Sequence, residues 1–186
     1  MQKRTLDGGF TLYQRSASQY AVRPEREPSL SQESLAAGVG MHTPPPLLYA
    51  GMLLFGLLLN RLFPLPFLPR RLSRVAGAIM VIGGQITAIA SVRALRKAGN
   101  SPRPDVPVRE LVEEGPYSYT RNPIYLSMTM IYTGIATIAN ARWAILMLPA
   151  ALTEINNGMV QREESYLEER FGDRYRDYKA RVRRWL

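Results

Sequence analysis

Charge is missing from this chain in long blocks. Residues 35–60, 75–92 and 122–141 contain no Asp, Glu, Lys or Arg, and between Arg142 and Arg162 the one charged residue is Glu154. Crossing the hydrocarbon core of a bilayer takes about 20 predominantly apolar residues. A soluble domain holding four such segments in 186 residues would have too little polar surface left to cover them. The mean hydropathy of −0.14 averages over this segregation and hides it. The pattern therefore predicts an all-α integral membrane bundle of about four transmembrane helices.

The same blocks place the elements. Residues 1–40 are polar, with 5 basic and 4 acidic side chains and no apolar period, and read as a flexible N-terminal tail ahead of a membrane-embedded domain over 41–186. No apolar run follows Lys3 and Arg4, so no signal peptide is expected. Pro44, Pro45 and Pro46 open a first span over 47–63, since proline suits a helix start. A second span covers 72–95, with Gly77, Gly83 and Gly84 as small faces for a close neighbour. Prolines at 102, 104, 107, 116 and 123 forbid a continuous helix over 100–123 and predict an ordered loop. A third span covers 124–139. The fourth starts near Trp143, kinks at Pro149 and runs out into Arg162, Glu163 and Glu164.

Beyond it, Leu167, Phe171, Tyr175, Tyr178 and Val182 recur at helical spacing, with Gly172 as a break. From Arg174 onward six basic residues oppose only Asp177, so this C-terminal amphipathic helix suits an anionic membrane surface or, equally, a solvated one. Of the 24 Lys and Arg, 5 lie in the N-terminal tail, 6 in 93–121 and 8 from 162 onward, against 4 in 61–74 and 1 between the last two spans. The positive-inside rule then puts both termini and the long loop in the cytoplasm. Membrane orientation accounts for most of the net charge of +9, so no nucleic-acid partner is implied.

Several chemistries drop out. No cysteine is present, which excludes disulfides, thiolate catalysis and iron–sulfur ligation, and His42 is the only histidine, which excludes a His-based triad or multi-His metal site within one chain. Neither a P-loop nor a complete Gly-x-Gly-x-x-Gly occurs, since Thr43 stands where Gly38 and Gly40 would need a third glycine.

Polar groups at membrane depth are costly and mark function. One cluster runs Gly115-Pro116-Tyr117-Ser118-Tyr119-Thr120-Arg121-Asn122-Pro123-Ile124-Tyr125 before the third span; the other holds Glu154, Asn156 and Asn157 and continues to Arg162, Glu163 and Glu164. A short turn at Arg142 makes the last two spans antiparallel and brings both clusters to one side.

These motifs, in this order from Leu111 and Val112 onward, with Phe171-Gly172, Tyr175, Tyr178 and Arg181-Val182 after them, resemble the isoprenylcysteine carboxyl methyltransferase family and the related phospholipid N-methyltransferases. The resemblance covers about residue 45 to the C-terminus. It implies a membrane-embedded, S-adenosylmethionine-dependent methyltransferase whose lipophilic substrate enters from the bilayer, with its active site facing the cytoplasm and no metal. Carried over residue by residue, Gly115, Pro116, Tyr117, Arg121, Pro123, Tyr125, Glu163 and Glu164 match family positions, and Leu111, Val112, Tyr119 and Asn122 complete the candidate cofactor site. Asn122 departs from the family, which most often has histidine there, though asparagine still donates and accepts hydrogen bonds.

The residue types suit that cofactor. Glu163 or Glu164 suits its ribose or ammonium, Arg121 its carboxylate or the substrate's, and tyrosine faces its adenine or sulfonium. Methyl transfer needs mainly position and charge placement. A carboxylate acceptor, which the resemblance favours, is oriented by Arg121; an amine or thiol needs a proton acceptor, for which Glu154, Glu163 and Glu164 are candidates. Glu154 also has a structural alternative, a hydrogen bond across helices to Gln85 or Asn156. A non-catalytic adaptor of the same architecture is the competing reading.

Overall fold

The computed structural model describes residues 44–102 and 106–185. The tail over 1–40 and His42 lie outside the described residues. Among those described, the secondary structure is helical: α1 Pro45–Leu62, α2 Arg70–Lys97, a short 3₁₀ turn Gly115–Ser118, α3 Pro123–Ile138, α4 Arg142–Ile155, a π turn Asn156–Val160, α5 Gln161–Phe171 and α6 Asp173–Arg181.

α1 and α2 are long and apolar enough to cross a bilayer, and only 17% of the most apolar stretch of each is buried inside the protein. That exposure separates them from the core helices of a soluble domain, which are covered on all sides. On α2, Ile79, Ile82, Ile86 and Ile89 form an exposed apolar stripe at helical spacing. α3 is apolar but has 16 residues, about 24 Å of rise, because Pro123 fixes its start and a turn at Asn140 its end. Pro149 sits inside α4 without ending it. The departure from α-helical bonding comes later, at the π turn, and the chain stays helical from Arg142 through Phe171.

The four long elements run up and down. α2 lies antiparallel along α3: Ser73 hydroxyl donates to the Thr137 carbonyl, and Gly77 backs onto Gly134. A Cβ on Gly77 would come within 2.6 Å of the Gly134 carbonyl oxygen, and one on Gly134 within 2.7 Å of the Gly77 oxygen, so the two backbones touch. α4 returns along α1, with Gly56 against the Ala144 backbone and Trp143 Nε1 donating to the Phe63 carbonyl at 3.0 Å. Between the pairs, Tyr49 of α1 and Thr129 of α3 share a hydroxyl hydrogen bond at 2.7 Å, and Tyr132 donates to the Ala144 carbonyl at 2.7 Å.

Two asparagines tie the connections. Asn140, at φ 52°, accepts from Phe67 and Leu68 N–H at 3.0 and 3.1 Å and donates to the Leu68 carbonyl at 2.7 Å, locking the α3–α4 turn to the α1–α2 connection. Asn100 does the same for the long loop, accepting from Arg109 and Glu110 N–H and donating to the Glu110 carbonyl at 2.7 Å. Here is the partner the proline-rich loop required.

In the C-terminal segment the apolar stripe turns inward. Gly172, at φ 55°, breaks the segment into α5 and α6, and the stripe Leu167, Phe171, Tyr175, Tyr178 and Val182 packs inward around Leu111 of the loop. Folded over a loop of its own chain, the stripe is shielded from water without a lipid surface.

Gly134→Leu pushes a side chain into the α2 backbone and is expected to destabilise the protein by about 1–3 kcal/mol. Gly51→Ala, whose Cβ meets nothing within 4 Å, is expected to be neutral. Melting of the two purified variants in the same detergent tests the difference.

Candidate active site

The site forms where the long loop enters α3. Gly115, at φ 60°, lets the chain turn into the 3₁₀ segment, and Pro116 at its start loses no needed N–H. Tyr178 of α6 donates to the Tyr117 carbonyl at 2.7 Å, which fastens this turn to the C-terminal helices. Thr120, Arg121 and Asn122 then run alongside the last residues of the chain. Arg121 N–H donates to the Arg183 carbonyl at 3.0 Å, and the Thr120 hydroxyl and Asn122 Nδ2 both donate to the Arg184 carbonyl, at 2.9 and 3.2 Å. Asn122 and Pro123 start α3 and are buried there.

At the centre stands Glu164, with its side chain 7% exposed. Arg121 Nη1 faces Glu164 Oε1 at 3.1 Å, with a side chain 9% exposed. Arg184 grips the same carboxylate with two N–H groups, Nε to Oε1 at 3.0 Å and Nη2 to Oε2 at 2.7 Å, and its Nη1 donates to Asn156 Oδ1 at 3.2 Å. In a straight α-helix residues seven apart share a face, but Asn156 and Glu164 are eight apart. The π turn between them takes up the extra residue and swings both toward Arg184.

Glu163 has a different fate. Tyr125 hydroxyl donates to its Oε2 at 3.2 Å, the one hydrogen bond to this carboxylate among the described residues. Although the residue retains access to solvent, the protein packed around it raises its carboxyl above the usual range by desolvation; the Tyr125 hydrogen bond pulls it back and neighbouring Glu164 adds to the rise. Burial also raises the Tyr117 and Tyr178 hydroxyls and pushes Tyr175 up to about 12, where Glu164 adds to the rise and Arg121 opposes it. These tyrosines stay neutral at any physiological pH.

Of the residues expected at the site, Tyr117, Arg121, Asn122, Pro123, Tyr125, Glu163 and Glu164 come together. Leu111 sits nearby in the Tyr175–Tyr178–Val182 cluster, with Val112 half-buried after it. Tyr119 is 77% exposed and turned away. Glu154 is exposed on α4 and hydrogen-bonded to neither Gln85 nor Asn156; Asn156 bonds Asn157 and Arg184 instead. Arg184 was hidden in the sequence because it belongs to a run of basic residues that reads as surface charge. Nothing in the sequence singles it out from its neighbours Arg181 and Arg183. Glu113 repeats the pattern at the edge, taking Arg174 at 3.1 Å and Arg181 at 2.7 Å. Among the described residues no group of three or more His, Asp or Glu is placed to hold a metal ion.

The sequence profile of the phospholipid methyltransferases matches residues 72–174, from the start of α2 into α6. The chain belongs to the phospholipid methyltransferase family. Membership makes it one of the membrane methyltransferases. An uncharacterized protein of Haemophilus influenzae is similar as well, 41% identical over 63 residues, which is 34% of this chain and the whole of that protein. No solved structure matches the chain. The family match includes Arg121, Tyr125, Glu163 and Glu164 and stops short of Arg184 and Trp185.

Glu164→Ala leaves two arginines facing a desolvated gap and is expected to cost about 3–5 kcal/mol of stability. Glu163→Ala, which removes a carboxylate with one hydrogen bond and an open side, is expected to cost far less. Denaturation of the two variants side by side checks this, and equal losses would contradict the assignment of Glu164 as the structural acid.

Proposed function

We propose that this membrane methyltransferase carries a methyl group from S-adenosylmethionine to the amine of a phospholipid headgroup. The observation behind this reading is the unequal treatment of two adjacent carboxylates. Glu164 is neutralised by Arg121 and Arg184, while Glu163 keeps an ionisable carboxylate with Tyr125 alone beside it. An amine acceptor must lose a proton, and a carboxylate reachable from solvent whose proton affinity is raised by the protein packed around it is suited to take it.

Methyltransferases of this family use S-adenosylmethionine. Two features fit it. Arg121 Nε is a buried polar atom without a hydrogen-bond partner, a group that a polar ligand would satisfy. Glu163, Tyr117 and Tyr125 offer negative charge and ring faces to a cationic one. Bound here, S-adenosylmethionine supplies an electrophilic methyl carbon on a sulfonium. Arg121 orients the ligand's carboxylate, Tyr125 holds the Glu163 carboxylate, and Glu163 Oε2 accepts the proton that the amine gives up. Leu111, Val112, Gly115, Pro116, Asn122 and Pro123 shape the pocket wall.

The unpartnered Arg121 Nε favours a second reading, in which Arg121 orients the carboxylate of an isoprenylcysteine-like acceptor and no base is needed. Glu154, exposed on α4, has no part in either scheme. We further infer four membrane crossings with both termini and the site on the cytoplasmic side, and a membrane domain over 41–186 that folds without the N-terminal tail. The partition of basic residues and the up-and-down course of α1–α4 support this. In the cysteine-free chain, Ser118→Cys is then expected to react with an impermeant maleimide only from the cytoplasmic side.

Calorimetry with S-adenosylhomocysteine tests cofactor binding directly, and its absence would put the non-catalytic adaptor ahead. With cofactor bound, phosphatidylethanolamine and a prenylated cysteine compete as acceptors in a methyl-transfer assay. Glu163→Gln is expected to lower turnover on the amine by about 10²–10⁴-fold. In the parent protein the rate is expected to fall with acidification, beginning above the ordinary carboxylate range because the Glu163 carboxyl is raised, and this limb is expected to vanish in Glu163→Gln.

A further inference from the structure

A hollow of about 430 Å³ lies between α3 and the π turn, with Leu126, Leu152 and Trp185 as apolar walls and Thr129, Asn156 and Asn157 as polar ones. Its volume falls in the range of small-molecule sites, roughly 300–1,000 Å³, and its mixture of apolar surface with a few placed polar groups is their usual lining.

Position ties the hollow to the Tyr125–Glu163 pair. On α3, Thr129 follows Tyr125 by four residues, so it lies on the same face about 6 Å further along. On the other side, Asn156 and Asn157 precede Glu163 by seven and six residues, about 10 Å back along the helix. Both walls therefore place the hollow one to two helical turns behind the carboxylate, away from the long loop and toward the middle of the bundle. That separation is comparable to the length of a phospholipid headgroup.

The polar wall has spare donors. Asn157 Oδ1 accepts from Asn156 Nδ2 at 3.1 Å and from Gln161 Nε2 at 3.4 Å, so among the described residues its own Nδ2 is uncommitted. The remaining wall is Trp185, which stands beyond the residues matched by the family profile, next to Arg184, and packs against the bundle core. The C-terminal residues thus complete both the acid cluster and this cavity.

We propose that the hollow is the acceptor subsite, holding the glycerol-ester region of an aminophospholipid, with Asn157 donating to an ester or phosphate oxygen and Trp185 as the wall that limits what fits. This rests on the amine-methylation reading of the Tyr125–Glu163 site. A headgroup amine at Glu163 leaves the esters level with Asn157 and the first chain carbons against Leu126, Leu152 and Trp185.

The chain has two tryptophans, so Trp143→Phe leaves Trp185 as the single indole reporter. That protein is placed in phosphatidylcholine vesicles containing an equal small fraction of either chain-brominated phosphatidylethanolamine or chain-brominated phosphatidylcholine. Trp185 fluorescence is expected to be quenched more deeply by the brominated ethanolamine lipid, and the excess to be lost in Leu126→Phe/Leu152→Phe, which fills the hollow. Unchanged S-adenosylhomocysteine affinity in the filled variant shows it folded, and its acceptor KM is expected to rise about tenfold. Equal quenching by the two lipids in the unfilled protein overturns the subsite, whatever the variant does. Selective quenching without any methyl transfer supports the subsite and removes the enzymatic reading, so the two can fail separately.

Discussion

The structure turns on one buried carboxylate. Removing Glu164 from water is costly unless its charge is met at short range, and two arginines from distant parts of the chain meet it. Arg121 comes from the start of α3, Arg184 from the last residues. Once Arg184 is in place, its carbonyl accepts from Thr120 and Asn122, and the carbonyl before it accepts from Arg121 N–H. The segment leading into α3 therefore finds its hydrogen-bond partners in the C-terminus rather than in a neighbouring strand. A short, irregular stretch can be buried at this point because the far end of the chain satisfies it.

For that meeting to occur, helix faces must be in phase. The π turn at Asn156–Val160 shifts the register between α4 and α5, so that Asn156 and Glu164 both address Arg184 of the C-terminal segment. Upstream, Gly77, Gly134 and Gly56 let backbones approach to contact, which fixes the relative height of the helices. In a medium that offers little hydrophobic drive between helices, such close packing and hydrogen bonds like Tyr132 to Ala144 supply the specificity.

The two carboxylates divide the work. Adjacent acids in one pocket repel, and each raises the other's proton affinity unless its charge is met by a cation. With Glu164 committed to two arginines, Glu163 is left without a cationic partner among the described residues, held by Tyr125 and raised by its surroundings. In the proposed reaction, structural stability and proton transfer thus fall to neighbouring residues on one helix. The helical phase sends one toward the C-terminal segment and the other toward Tyr125.

The sequence by itself determined the helical character, the positions of the long helices to within a few residues, the break at Gly172, and the convergence of the 115–125 motif with Glu163 and Glu164. All of these follow from local causes: where charge is absent, where proline and glycine fall, and the antiparallel course imposed by a short turn. The tertiary structure alone decided which glutamate is buried, that Arg184 rather than Arg121 alone neutralises it, that Tyr119 and Glu154 face outward, and that Leu167, Phe171, Tyr175, Tyr178 and Val182 pack on Leu111. Those outcomes depend on contacts between residues 20 to 71 positions apart. A basic tail reads the same whether its arginines face water, lipid or a buried acid, and it is the acid's need for a partner in a dry site that selects among them.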